Sequence, residues 1–167
     1  MNNTITLNGE MYARSDFQPH KLLQNDALIN ALEMKTLPNT FLSILGISGV
    51  DTYKPILKRK VELYDTSLEI NSFVYNGNLY WLDKQQRACM KTLADSGLDY
   101  IEVILPNGFV TLETAKLKQF LTELEIYAYK CYVNTAKHLN AVESLTQIEE
   151  IINYDYTTGY PEKIVLE

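Results

Sequence analysis

A chain of 167 residues, 46% hydrophobic and 22% charged, has the balance of a folded globular protein and enough length to bury a core. Its net charge of −6 is unevenly divided: residues 1–72 carry seven basic and eight acidic groups, residues 73–167 eight basic and thirteen acidic. Neither part is built to neutralise a phosphate backbone, which argues against a nucleic-acid partner, and no apolar run approaches the ~20 residues of a membrane span.

The first element expected is a hairpin. Thr4 to Arg14 alternates apolar and polar residues around Asn8-Gly9, and a type I′ turn needs positive φ at both central residues. Asn25 or Asp26 then caps a helix over Ala27–Lys35, with Leu28 and Leu32 on its buried side and Pro38 ending it. A short helix is expected over Thr40–Leu45, before Gly46-Ile-Ser-Gly49. Pro55 interrupts the next segment, and the alternation of Val61 and Leu63 reads as a strand over Lys58–Tyr64.

From Ile70 the signals sharpen. Phe73-Val-Tyr75 and Leu79-Tyr-Trp-Leu82 flank Asn76-Gly77-Asn78 as two strands about a tight turn. Asp83, with Gln86 three residues on, caps a helix to about Ala94, whose apolar set is Ala88, Cys89, Met90 and Leu93, and Gly97 closes it. Tyr100–Leu105 and Phe109–Thr111 form another hairpin about Pro106-Asn107-Gly108. A long helix of roughly 45 Å comes next, from about Leu112 to Val142, with Leu117, Leu121, Leu124, Ala128, Cys131, Thr135, His138 and Val142 in a heptad stripe.

A second set on that helix, Phe120, Ile126, Tyr127, Tyr129 and Val133, widens the apolar face beyond one neighbour's needs, so a sheet or a second copy of the chain must cover the rest. Thr146-Gln-Ile-Glu149 caps a last helix whose Ile148, Ile151 and Ile152 turn it back on the long one. The tail from Tyr154 holds Tyr154, Tyr156 and Tyr160 and a closing Ile164-Val-Leu166, which either stays mobile or docks as an added strand.

Chemistry has little to work with. His20 and His138 are the only histidines; His138 lies in the heptad stripe, and His20 has no ligand set beside it. Cys89 and Cys131 sit in helical apolar patterns without CxxC spacing and read as two buried free thiols in a reducing cytosol. Gly46-Ile-Ser48-Gly49 lacks the spacing of a nucleophile elbow, and Glu123/Glu125 and Glu149/Glu150 read as solvated helix surface. The reading is a non-enzyme with no catalytic, cofactor-binding or metal-ligating residues.

Residues 73–161 resemble the uncharacterised domain that recurs in tail-fibre and other tail-associated proteins of bacteriophages. The resemblance rests on Phe73-Val-Tyr-Asn-Gly77, Leu82-Asp83-Lys-Gln-Gln-Arg87, the hairpin Pro106-Asn-Gly108-Phe-Val-Thr-Leu112, the stretch Ala136 to Ile151, and Gly159-Tyr160-Pro161. The family carries a tryptophan near this last turn, where Tyr160 stands here. The resemblance implies a phage structural or assembly protein, a docking module in the tail or tail fibres, made in the host cytoplasm and carried in the virion.

Its partners are then other phage structural proteins and further copies of itself, with no nucleic acid and no membrane. Leu124, Tyr127, Cys131 and His138 are expected to mediate helix association, and Tyr154, Tyr156 and Tyr160 the contacts of the tail. The alternative is an intracellular phage-encoded protein that binds and inhibits a host factor. The fold expected is α+β, a small antiparallel sheet of hairpins packed with a long C-terminal helix that forms an antiparallel helical hairpin. It divides into an N-terminal region of β-hairpin and short helices (residues 1–69), the tail-associated domain (70–161) and a terminal tail (162–167).

Overall fold

The computed structural model of the chain describes residues 4–37, 49–105 and 108–166. The helix expected over Thr40–Leu45, the Pro38 stop expected for the helix before it and the Pro106-Asn107 corner lie outside the described residues. The architecture is mixed α+β, with small sheets of hairpins and one long C-terminal helix. Two compact units are distinguished, Met1–Tyr64 with Thr135–Thr158, and Asp65–Asn134 with Gly159–Glu167. No helix among the described residues is long and apolar enough to cross a membrane.

The first unit opens on strands β1 (Thr4–Leu7) and β2 (Glu10–Ala13), paired antiparallel with Leu7 opposite Glu10. Asn8 and Gly9 both take positive φ, 51° and 86°, as the turn demands. A 3-10 turn over Arg14–Phe17 comes next, then α1 (Pro19–Leu22) and α2 (Asp26–Ala31); the Asn25 carboxamide caps α2 by accepting the Leu28 N–H at 3.0 Å.

The next element corrects the strand expected over Lys58–Tyr64. Val50–Asp65 is one helix, α3, with Pro55 inside it. Pro55 lies early in the helix, where its missing N–H costs a single backbone bond, the one to the carbonyl of exposed Asp51. The buried residues Tyr53, Ile56, Leu57, Lys60 and Val61 recur at steps of three and four, a helical period that the short Val61–Leu63 alternation concealed. Tyr53, Ile56 and Leu57 join Phe17, Leu22, Leu28 and Ile29 in the core of this unit. Arg59 anchors the outer face, its guanidinium pairing with Asp26 at 2.8 Å and Glu62 at 2.9 Å.

Lys60 is the exception in that buried stripe. Desolvation pushes its ammonium below the ordinary lysine range, with the Glu33 carboxylate opposing. Between the lowered value and the ordinary one near about 10.4, the unfolded chain holds the proton that the folded chain has released, so stability rises with pH through that window. Below it the cost of a buried charge is present in full. Lys60→Met is therefore expected to raise the melting temperature at neutral pH by a few degrees and to flatten the alkaline rise, as read by thermal melts across pH; an unchanged or lower melting temperature would show that the ammonium is well solvated.

The second unit contains β3 (Phe73–Tyr75) and β4 (Asn78–Tyr80), antiparallel about Asn76-Gly77, both again at positive φ. The C-terminal segment docks as β7 (Val165–Leu166), pairing parallel to β3 with Val74 opposite Val165, so this small sheet is mixed, in the order β4-β3-β7. Helix α4 (Lys84–Ala94) starts on a reciprocal cap, Gln86 N–H to Asp83 and Asp83 N–H to the Gln86 side chain, both 2.8 Å.

Strands β5 (Tyr100–Leu105) and β6 (Gly108–Glu113) form a separate antiparallel pair. Helix α5 then runs from Thr114 to Ser144, its residues to Asn134 belonging to the second unit and those from Thr135 to the first. The second core gathers Phe73, Tyr80 and Leu82 with the inward row Ile101, Val103 and Leu105 of β5 and Leu117, Phe120, Leu121 and Leu124 of α5. Phe73 meets Phe120 edge-on at 5.0 Å between ring centroids.

Two details depart from expectation. The face of α4 turned inward is Arg87, Met90 and Ala94, at steps of three and four, while Ala88, Cys89 and Leu93 are exposed; of the two thiols only Cys131 is buried. The last helix, α6 (Ile148–Ile152), begins one residue later than expected: Gln147 is its N-cap, and Glu150 accepts the N–H groups of Thr146 and Gln147 at 3.2 and 3.1 Å. Its Ile151 is buried in the same cluster as Val142 of α5.

Candidate functional site

The residues chosen from the helix stripe are placed inside the chain. Leu124 is fully buried in the second unit's core. Tyr127, one turn on, is also buried; its hydroxyl donates to the Ile70 carbonyl at 2.6 Å and its ring meets Trp81 edge-on at 6.5 Å. Cys131 stands at the next turn, where desolvation pushes its thiol above the ordinary range and holds it in the unreactive protonated form. These three side chains are occupied by intramolecular packing.

His138 forms a separate group in the first unit. Its Nδ1 lies 2.8 Å from the Tyr154 hydroxyl and its Nε2 2.9 Å from the Thr158 carbonyl oxygen. A carbonyl only accepts, so Nε2 carries the ring proton and Nδ1 accepts from Tyr154. Burial, then the Asp155 carboxylate, pushes the Tyr154 hydroxyl above the ordinary phenol value, which keeps that proton in place. Tyr156 is half-buried and packs edge-on against Tyr64 at 5.6 Å, and Tyr160 is half-buried in the second unit. The structure thus brings His138 together with Tyr154 as an internal clasp.

Exposed apolar side chains stand elsewhere on the second unit. In β5–β6, alternation turns Ile101, Val103, Leu105 and Leu112 to the core and Tyr100, Glu102, Ile104, Phe109, Thr111 and Glu113 outward. Ile104 and Phe109 are direct cross-strand partners and are 74% and 72% exposed. On α5, Ile126, Tyr129 and Tyr132 are exposed at steps of three. Ile126 and Tyr129 come from the second apolar set, whose Phe120 and Tyr127 are buried.

A groove of about 480 Å³ runs between α4 and α5. Lys84, Ala88 and Lys91 line one side, and Leu121, Thr122 and Ile126 the other. Two ion pairs cross it, Arg87 to Glu125 at 2.7 Å and Lys118 to Asp95 at 2.9 Å. Residue 87 with 125 and 95 with 118 is the pairing of antiparallel helices. Arg87 is buried, donates to the Leu82 carbonyl at 2.6 Å and lies over Trp81 at 5.0 Å from the ring centroid.

No family model, curated protein or solved structure matches the chain.

Among the described residues, no three His, Cys, Asp or Glu side chains gather as a metal ion requires. The outward Ile104 and Phe109 were legible in principle, because each breaks the apolar/polar alternation of its strand on the face that should be polar. The groove was not, since its two walls are far apart in sequence.

Proposed function

We propose that the protein is a docking module of a bacteriophage tail or its fibres, a structural or assembly component without catalytic chemistry. The single observation that carries the docking role is the apolar cross-strand pair Ile104 and Phe109, on a hairpin whose other face already completes a core. A hairpin stable without further burial gains nothing from apolar residues facing water, so their use lies in a contact with another chain. The phage setting comes from the resemblance of residues 73–161 to tail-associated proteins. Other structural proteins of the particle and further copies of this chain are the partners it implies, with synthesis in the host cytoplasm and residence in the virion.

The test is peptide mass spectrometry of purified particles of the phage that carries the gene, with and without the double substitution Ile104→Lys and Phe109→Lys. The wild-type chain is expected at stoichiometric copy number. The variant, whose changes lie on exposed side chains, is expected to melt as the wild type does and to drop out of the particle. Clean absence of the wild-type chain overturns the tail role, and undiminished incorporation of a folded variant overturns the hairpin as the contact.

A further inference from the structure

The groove between α4 and α5 has a charge that runs against the rest of the chain. Four of its lining residues are basic, Lys84, Arg87, Lys91 and Lys118, and two are acidic, in a protein of net charge −6. Both carboxylates are spent, Glu125 on Arg87 and Asp95 on Lys118. Neither Lys84 nor Lys91 has an ion-pair partner among the described residues, and both side chains are exposed on the same wall.

The spacing is specific. Lys84 and Lys91 are seven residues apart on one helix, two turns, so their stems stand about 10.5 Å apart along the groove. Between and opposite them Ala88 on α4 and Leu121 and Ile126 on α5 supply the apolar lining, with Thr122 and the Arg87–Glu125 pair among them. A third helix lying along the groove would set an apolar stripe on Ala88, Leu121 and Ile126 and, beside that stripe, carboxylates two turns apart against the lysines. A second copy packed groove to groove would instead place lysine against lysine.

We propose that the α4–α5 groove is a docking site for an acidic amphipathic helix of a partner protein, with Lys84 and Lys91 reading carboxylates seven residues apart. This goes beyond the hairpin contact and does not rest on a role in a phage tail.

Trp81, the one tryptophan of the chain, is held under the Arg87 guanidinium that lines the groove and reports on it directly. The probe is an alanine-based helical peptide with three leucines on one stripe and two glutamates seven residues apart beside it, compared with the same peptide carrying lysines for the glutamates. The glutamate peptide is expected to change Trp81 fluorescence saturably, and the lysine peptide to bind at least about tenfold more weakly.

The variant Lys84→Glu/Lys91→Glu, altered only at exposed side chains, is expected to reverse that preference while keeping the wild-type melting temperature. Equal binding of the two peptides, no saturable signal from either, or an unreversed preference overturns the proposal. So does a concentration-dependent dimer in sedimentation that the lysine reversals abolish, which would make a second copy the occupant.

Discussion

Leu124→Asp is expected to unfold the second unit. Leu124 is fully buried on the inward face of α5, in one core with the strand residues Phe73, Ile101 and Val103, so the substitution removes a large aliphatic group and leaves a carboxylate in its place. Truncation at such a site costs about 3–5 kcal/mol. Burying the carboxyl group adds more, whether it stays charged or takes up a proton to become neutral. The sum is comparable to the whole stability of a small domain, about 5–15 kcal/mol. Loss of the native Trp81 fluorescence and a collapsed melting transition are the expected readings, while Leu124→Met, which conserves volume, should cost less than about 1.5 kcal/mol. A Leu124→Asp protein that melts within a degree or two of wild type would contradict its place in the core.

Arg87→Ala is expected to cost about 2–4 kcal/mol, most of it unrelated to the ion pair. Arg87 is buried, whereas its partner Glu125 is 57% exposed and can be solvated without it. The contacts that cannot be replaced are the hydrogen bond to the Leu82 carbonyl and the guanidinium over Trp81. Removing the arginine leaves a buried carbonyl without its donor and an aromatic face without its cover. Glu125→Gln should therefore lose less than about 1 kcal/mol. Arg87→Lys should recover only part of the loss, because an ammonium cannot lie flat over the ring while reaching the carbonyl. Chemical denaturation of the three variants decides it: equal losses for Arg87→Ala and Glu125→Gln would move the weight to the ion pair.

The stripe Leu124, Tyr127, Cys131 was legible as apolar and helical, but periodicity does not say whether an apolar face meets its own chain or another's. Here it meets Ile70, Trp81 and the core around Phe73, and the side chains left outside are Ile126, Tyr129 and Tyr132. His138 and Tyr154 lie sixteen positions apart and meet only because the chain returns to α5 after α6.

The features determined by the sequence alone are those whose physics is complete within a few residues. Asn8-Gly9 and Asn76-Gly77 demand positive φ and so dictate their hairpins; Asp83 and Gln86 satisfy each other's backbone groups and start α4; alternation in Tyr100–Leu105 and a long three-and-four repeat after Thr114 set strand and helix. The tertiary structure decided the features that depend on partners distant in sequence. It made Lys58–Tyr64 part of a helix whose Tyr53, Ile56 and Leu57 are buried in one core with Phe17 and Leu28, and turned Arg87 rather than Cys89 inward on α4. It also paired Val165 with Val74, and set α4 beside α5 so that Lys84 and Lys91 border an apolar groove. Burial is a property of a residue's neighbours in space, and a local pattern contains only its neighbours along the chain.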